Sequence, residues 1–277
     1  VAEPFFVHGG VVKYRVVRPW QQATGIFPVS QIAVSPDDKV YLLRRERPMI
    51  MVFDSAGRFV DTLDHPRLVS AHGICIAPDG RLLVSTYDAH QVLIFDRDYR
   101  PLGELGRFGE PRWGEPFNSP TGIAVAPSGD IYVADGYGNA RIHRFRADGS
   151  WCSSWGEPGA GPGEFSTPHA VSVLPDGRVL VCDRDNDRIQ VFDAQGGFLA
   201  VWGPFVRPMD LWVDPSGRVF VTEQTPRISV CDTSGRVIGR MRAFGVYPHG
   251  IAGDSSGGLY VAEQGPEHHV TKYEPCG

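Results

Sequence analysis

The sequence has no apolar run of 18 or more residues, so no segment reads as a membrane-spanning helix. It also has little net charge: 27 basic against 32 acidic side chains, a formal charge of −5. That balance argues against nucleic acid or an anionic membrane as a main partner, because both are held by basic surfaces. Cysteine is sparse and odd in number, at positions 75, 152, 182, 231 and 276. Four of the five lie in apolar or alternating runs such as Ile74-Cys75-Ile76, which reads as buried thiols rather than a disulfide frame. The chain starts at Val1 without a charged and then apolar leader, which favours the cytoplasm slightly and leaves secretion after processing open. A soluble monomer is expected.

What the chain does have is chain breakers. Its 33 glycines and 23 prolines make up about 20% of 277 residues, against an average near ~12%. Such a chain cannot build long helices, since proline removes a donor and glycine frees the backbone. At 42% hydrophobic it is not disordered either. Many turns combined with a real core predict many short strands.

The breakers mark a repeat. Ser119-Pro120-Thr121-Gly122-Ile123-Ala124-Val125 leads into a turn at Pro127-Ser128-Gly129. Two strands follow, Ile131–Asp135 and Arg141–Phe145, and then Trp151–Gly156. The plan recurs from Pro168, Pro208 and Pro248, and more weakly from Ser30 and Ser70, with turns at Pro78-Asp79-Gly80, Pro175-Asp176-Gly177 and Pro215-Ser216-Gly217. One equivalent position of the first strand is filled by Gln31, His72, Thr121, His169, Met209 and His249, at spacings of 41, 49, 48, 40 and 40 residues. Six units of four strands predict one all-β domain over 1–277, a six-bladed β-propeller. The last unit has three strands of its own, so Val11–Val17 is expected to supply the fourth and close the ring. A solenoid would need capping units that the sequence does not display. The longer spacings place extra residues at 106–118 and 157–166, expected as ordered loops over one face.

Three of nine histidines share that repeat position, in alternate units: His72, His169 and His249. In a six-fold ring, alternate first strands would bring three imidazoles together with near three-fold symmetry. Three imidazoles and an open fourth position suit a catalytic zinc, and imidazole also suits other divalent transition metals. His8, His65, His143 and the pair His268-His269 read as ordinary tail, loop or strand residues, while His90 is harder to dismiss. A second ring follows at the end of each second strand: Arg44, Thr86, Asp135, Asp183, Glu223 and Glu263. Arg44 is the odd member. It suits either a salt bridge to a neighbouring acid or a two-pronged contact to a substrate carboxylate, with Arg45 and Arg47 as register alternatives. After Asp135, Gly136 and Gly138 flank Tyr137, a segment expected to bend and present the phenol.

These motifs resemble the NHL class of propeller and, within it, the peptidyl-α-hydroxyglycine α-amidating lyase family. The carrying residues are Ala71-His72-Gly73-Ile74, Asp135-Gly136-Tyr137-Gly138-Asn139-Ala140-Arg141-Ile142, Gly163–His169, Asp183–Gln190 and Tyr247-Pro248-His249. The resemblance implies zinc held by His72, His169 and His249, a catalytic pair of Tyr137 and Arg44, and cleavage of an N-acyl-α-hydroxyglycine to an amide and glyoxylate. It therefore implies a small or peptide-terminal substrate that carries a carboxylate. The chain departs from the family at Tyr247, where the family has Met, and at Gly138, where the family has a disulfide cysteine. It departs again at Gly250, where the family has an acid tied to calcium, so calcium is not expected. Two other readings fit the same scaffold: a metal-dependent lactone or ester hydrolase, and a non-catalytic protein-binding propeller.

Overall fold

The computed structural model describes residues 5–23, 25–26, 28–264 and 270–276. His268 and His269, read above as a polar loop pair, lie outside them. The fold is all-β, a six-bladed β-propeller, and the one helix among the described residues is a single 3₁₀ turn at Arg184–Asn186. Among the described residues no helix is long and apolar enough to cross a membrane.

The chain forms two compact units, Val1–Leu63 with Met209–Gly277, and Asp64–Pro208. The 64–208 unit holds three four-stranded antiparallel sheets. Blade two runs Ala71–Ile76, Leu82–Thr86, Gln91–Phe95 and Pro101–Gly106. Blade three runs Gly122–Val125, Ile131–Asp135, Arg141–Phe145 and Trp151–Trp155, and blade four runs Pro168–Val173, Val179–Asp183, Arg188–Phe192 and Phe198–Trp202. Between blades three and four, Glu157–Pro158 and Glu164–Phe165 pair as a short parallel ribbon. Thus the longer spacing there is ordered structure.

The other unit holds blade one (Val29–Val34, Val40–Arg44, Ile50–Phe53, Phe59–Leu63), blade five (Pro208–Val213, Val219–Glu223, Arg227–Cys231, Val237–Arg242) and blade six. Blade six is Tyr247–Gly253, Leu259–Gln264 and Val270–Pro275, completed by the N-terminal strand Lys13–Val17. Tyr14 pairs with Pro275 and Val16 with Tyr273. This is the closing strand that the repeat count required, trimmed at its start by two residues. A fifth strand, Phe5–His8, pairs onto it, so His8 sits in a sheet and not in a tail.

The turns follow the Pro-x-Gly signals. Gly129 has φ +89° and its N–H donates to the Ala126 carbonyl at 2.8 Å; Gly177, also at +89°, donates to Leu174 at 2.9 Å. Each glycine supplies the left-handed step of its turn. Alternating side chains then pack sheet against sheet. Leu83, Phe117, Ile131 and Phe145 fill the layer between blades two and three, and Tyr132, Phe165, Val181 and Phe192 the layer between three and four. Burying one such aromatic side chain contributes roughly 1.5–3 kcal/mol. None of the five cysteines forms a disulfide; Cys182 and Cys231 are fully buried, and burial pushes the Cys231 thiol up to about 12.

Candidate active site

Three of the residues singled out from the sequence converge within the 64–208 unit. His72, on the first strand of blade two, and His169, on that of blade four, are each 1% exposed. A ring nitrogen of one lies within 4.8 Å of a ring nitrogen of the other, and the ring centroids are 4.9 Å apart. The Tyr137 hydroxyl stands between them, 2.8 Å from His72 Nε2 and 3.2 Å from His169 Nε2.

The tautomer of His72 follows from its other nitrogen. Nδ1 lies 3.1 Å from the Thr121 carbonyl oxygen, which can only accept. Nδ1 therefore carries the hydrogen, and Nε2 keeps a lone pair aimed at Tyr137. Ser85 Oγ donates to the same carbonyl at 2.9 Å, so that acceptor is held from two sides.

Tyr137 is presented by close approach and not by glycine flexibility, a correction to the sequence expectation. Neither Gly136 nor Gly138 has positive φ. Instead, a Cβ at Gly136 would lie 2.0 Å from the Pro168 carbonyl, and one at Gly138 would lie 1.7 Å from that of Asn118. The loop is pressed onto neighbouring backbone, and a cysteine at 138 would not fit it.

Two neighbours were missed from sequence. The Arg184 guanidinium lies 5.7 Å from the Tyr137 ring centroid. Tyr87 meets Tyr137 and His72 edge-on, at 5.8 and 6.1 Å. Both follow directly on the second ring, after Asp183 and Thr86, and that position was the available signal. Asp185 holds Arg184 at 3.1 Å. Burial raises the Asp185 pKa, but hydrogen bonds from Arg184, Thr167 and Arg207 outweigh it and bring the group down to about 2.

Arg44 is 4% exposed, while Arg45 and Arg47 face solvent. Its hydrogen-bond partners are backbone carbonyls. Nε, Nη1 and Nη2 donate to the carbonyls of Ile26, Pro48 and Gly25 at 2.8, 3.0 and 3.1 Å. One N–H on each terminal nitrogen remains.

The acids of the second ring have work inside their own blades. Asp135 accepts from Asn118 N at 2.8 Å, Asn139 at 2.7 Å and His143 at 3.2 Å. Asp183 accepts from Ser166 N at 2.7 Å and from Arg188 at 2.7 Å, and Glu263 from Phe244 N at 2.7 Å and Thr271 at 2.9 Å. Each clips the segment leading into a blade to that blade's middle strands.

In the other unit, His249 is 4% exposed on the first strand of blade six, and its carbonyl accepts from Thr222 Oγ1 at 3.2 Å. Beside it in sequence, a Cβ at Gly250 would lie 1.9 Å from Gln31 Oε1. Asp210 accepts from Ile251 N at 2.9 Å, and burial pushes its carboxyl up to about 7.

This arrangement can be set against known proteins. The NHL repeat family model matches residues 117–145 and 165–192, in blades three and four. Human NHL repeat-containing protein 3 is 30% identical over 307 residues, covering 95% of this chain and 85% of that protein. The chain belongs to the NHL-repeat propeller family. This propeller is also 35% identical over 161 residues to Xenopus laevis peptidyl-glycine alpha-amidating monooxygenase A, covering 55% of the chain and 17% of that protein. It is 33% identical over 138 residues to Drosophila melanogaster peptidyl-alpha-hydroxyglycine alpha-amidating lyase 1, covering 46% and 26%. The propeller thus matches only a minor part of those two relatives' own length. Among solved structures, a Xanthomonas campestris gluconolactonase superposes with a TM-score of 0.73 at 17% identity, covering 99% of this chain and 96% of that one. A streptogramin B lyase superposes at 0.72 with 15% identity, covering 97% and 100%. At such identities the likeness shows the fold alone.

Proposed function

We propose that this NHL-repeat propeller is a zinc-dependent lyase that cleaves the C–N bond of an N-acyl-α-hydroxyglycine-like substrate, with His72, His169 and His249 as metal ligands. The observation that carries the reading is the Tyr137 hydroxyl between two buried imidazole Nε2 atoms. The relatives named as amidating lyase and monooxygenase support it, as does the presence of His249 at the same repeat position as the other two. An all-imidazole donor set fits zinc, and the lone pair on His72 Nε2 fits a ligand atom whose tautomer is held by a backbone carbonyl. A calcium site of the family's kind does not fit, because Gly250 offers no ligand and Gln31 fills the space beside it.

A divalent metal bound there would act as a Lewis acid on the substrate hydroxyl. The chain's own groups carry the rest. Tyr137 takes the hydroxyl proton, the C–N bond breaks, and a proton passes to the departing nitrogen, so atoms balance without added water. Arg184, held by Asp185, packs beside the phenol ring and fixes its position. Arg44, with two N–H groups left, holds the substrate carboxylate and fixes orientation.

The test is glyoxylate release from an N-acyl-α-hydroxyglycine, run beside lactone opening. Glyoxylate release that falls to background in His169→Ala is expected. Lactone opening without glyoxylate release would replace the lyase by a hydrolase, and neither activity would leave a binding propeller.

A further inference from the structure

The extra residues between blades two and three do not join the histidine site. With the end of blade two's outer strand and the two outer strands of blade three, they wall a separate cavity of about 760 Å³. That volume lies in the range of small-molecule sites, roughly 300–1,000 Å³. None of its lining residues is shared with the His72, Tyr137 and His169 cluster.

Its chemistry is cationic and aromatic. Arg107, Arg112 and Arg141 line it, against one lining acid, Glu115. Arg112 is held at its tips by Glu115 at 2.8 Å and Glu110 at 3.5 Å, yet its Nε is buried and has no hydrogen-bond partner. Among the described residues, the carboxylate that Arg107 reaches is Glu110, at 3.6 Å. Arg141 has no carboxylate within 4.0 Å among the described residues. The Ser153 hydroxyl, also lining, is buried without a partner. Trp151 is 57% exposed, a large indole face left in the wall of a hollow.

A buried N–H without an acceptor is unfavourable unless a ligand or ion completes it. An arginine without a counter-charge beside an open indole is a common recognition pair, the fork for an oxyanion and the ring for an apolar body. We propose that this cavity binds a small organic carboxylate whose apolar or aromatic body lies on Trp151 and whose carboxylate faces Arg141 and Arg112. The planar fork of a guanidinium matches two carboxylate oxygens in one plane, which favours carboxylate over a tetrahedral phosphate.

The test uses the full chain and three probes: 3-phenylpropionate, its neutral amide and phenyl phosphate. Titration calorimetry gives affinities, and amide chemical-shift changes give the location. The carboxylate should bind saturably, with Kd between about 10 μM and 1 mM. The amide should bind at least about tenfold more weakly, as should the carboxylate to Arg141→Gln. Trp151→Ala, at an exposed position, should weaken both carboxylate and phosphate and keep the fold. Shift changes should cluster in 106–116 and 141–154. No saturable binding of the carboxylate, equal binding of the amide, or unchanged affinity in Arg141→Gln would overturn the proposal. Tighter binding of phenyl phosphate than of the carboxylate would overturn the assignment of the ligand class.

Discussion

Blades two and three carry different residues at the same repeat position, His72 and Thr121. Both reach toward the following first strand. His72 Nδ1 donates to the Thr121 carbonyl at 3.1 Å, and Thr121 Oγ1 lies 2.9 Å from the Pro168 carbonyl. The structural task is therefore shared: one side-chain donor ties each blade to the next. The difference is what remains. The threonine hydroxyl has one hydrogen, which lies between that carbonyl and the Ala134 carbonyl of its own blade, 3.1 Å away. The imidazole has a second nitrogen, and at His72 it meets Tyr137 at 2.8 Å. A repeated scaffold position becomes chemical when its residue has a group to spare after its structural bond is made.

This contrast can be broken in four ways. The largest effect is expected at the imidazole position: His169→Ala should bring glyoxylate release to background while the thermal transition stays cooperative. Retained activity would remove the position from the chemistry. Tyr137→Phe should lower kcat by about 10²–10⁴-fold, as loss of a general base does, with metal content unchanged. A KM change with kcat intact would make the phenol a binding group only.

Blade five sharpens the contrast because its position holds Met209, and the titrating group is the next residue, Asp210. Its carboxyl is raised to about 7 by burial, against an unfolded value near ~3.9. Between those values the folded chain binds a proton that the unfolded chain releases. Stability should thus fall as pH rises from about 4 to about 7, and the penalty should be complete above 7. Asp210→Asn should flatten that slope and raise stability at pH 8 by an amount on the order of a few kcal/mol. A wild type that gains stability over this window relative to the variant would contradict the account. The smallest effect belongs to the hydroxyl position: Thr121→Val should cost about 1 kcal/mol in denaturant unfolding, with activity within about twofold. Loss of activity there would erase the distinction between the two kinds of position.

Much of the fold was legible in the sequence because turns have strict backbone needs. Gly80, Gly129, Gly177 and Gly217 all sit at left-handed φ where Pro-x-Gly signals fell, and the closing strand was found by counting. The alignment of His72 with His169 was legible from the same ruler. Side-chain partners were not. Repeat position says which residues are equivalent, but not what each touches some 17 or 49 residues away. Hence Asp135 and Asp183, grouped with a site from sequence, prove to clip Asn118 and Ser166. At Arg44 bonds to three backbone carbonyls stand where the salt-bridge alternative put an acid, and the substrate alternative is the one proposed above. Arg184 and Tyr87 stand directly after the second ring, a position the sequence displays, but the contact each makes with Tyr137 depends on how neighbouring blades pack.

The central claim is that the imidazoles at this repeat position are metal ligands. Metal analysis of protein purified without added metal tests it most directly. The account predicts about one zinc per chain, as three-histidine sites hold, lost in His169→Ala and kept in Thr121→Val. Metal-free protein that remains active, or zinc content unchanged by His169→Ala, would contradict it.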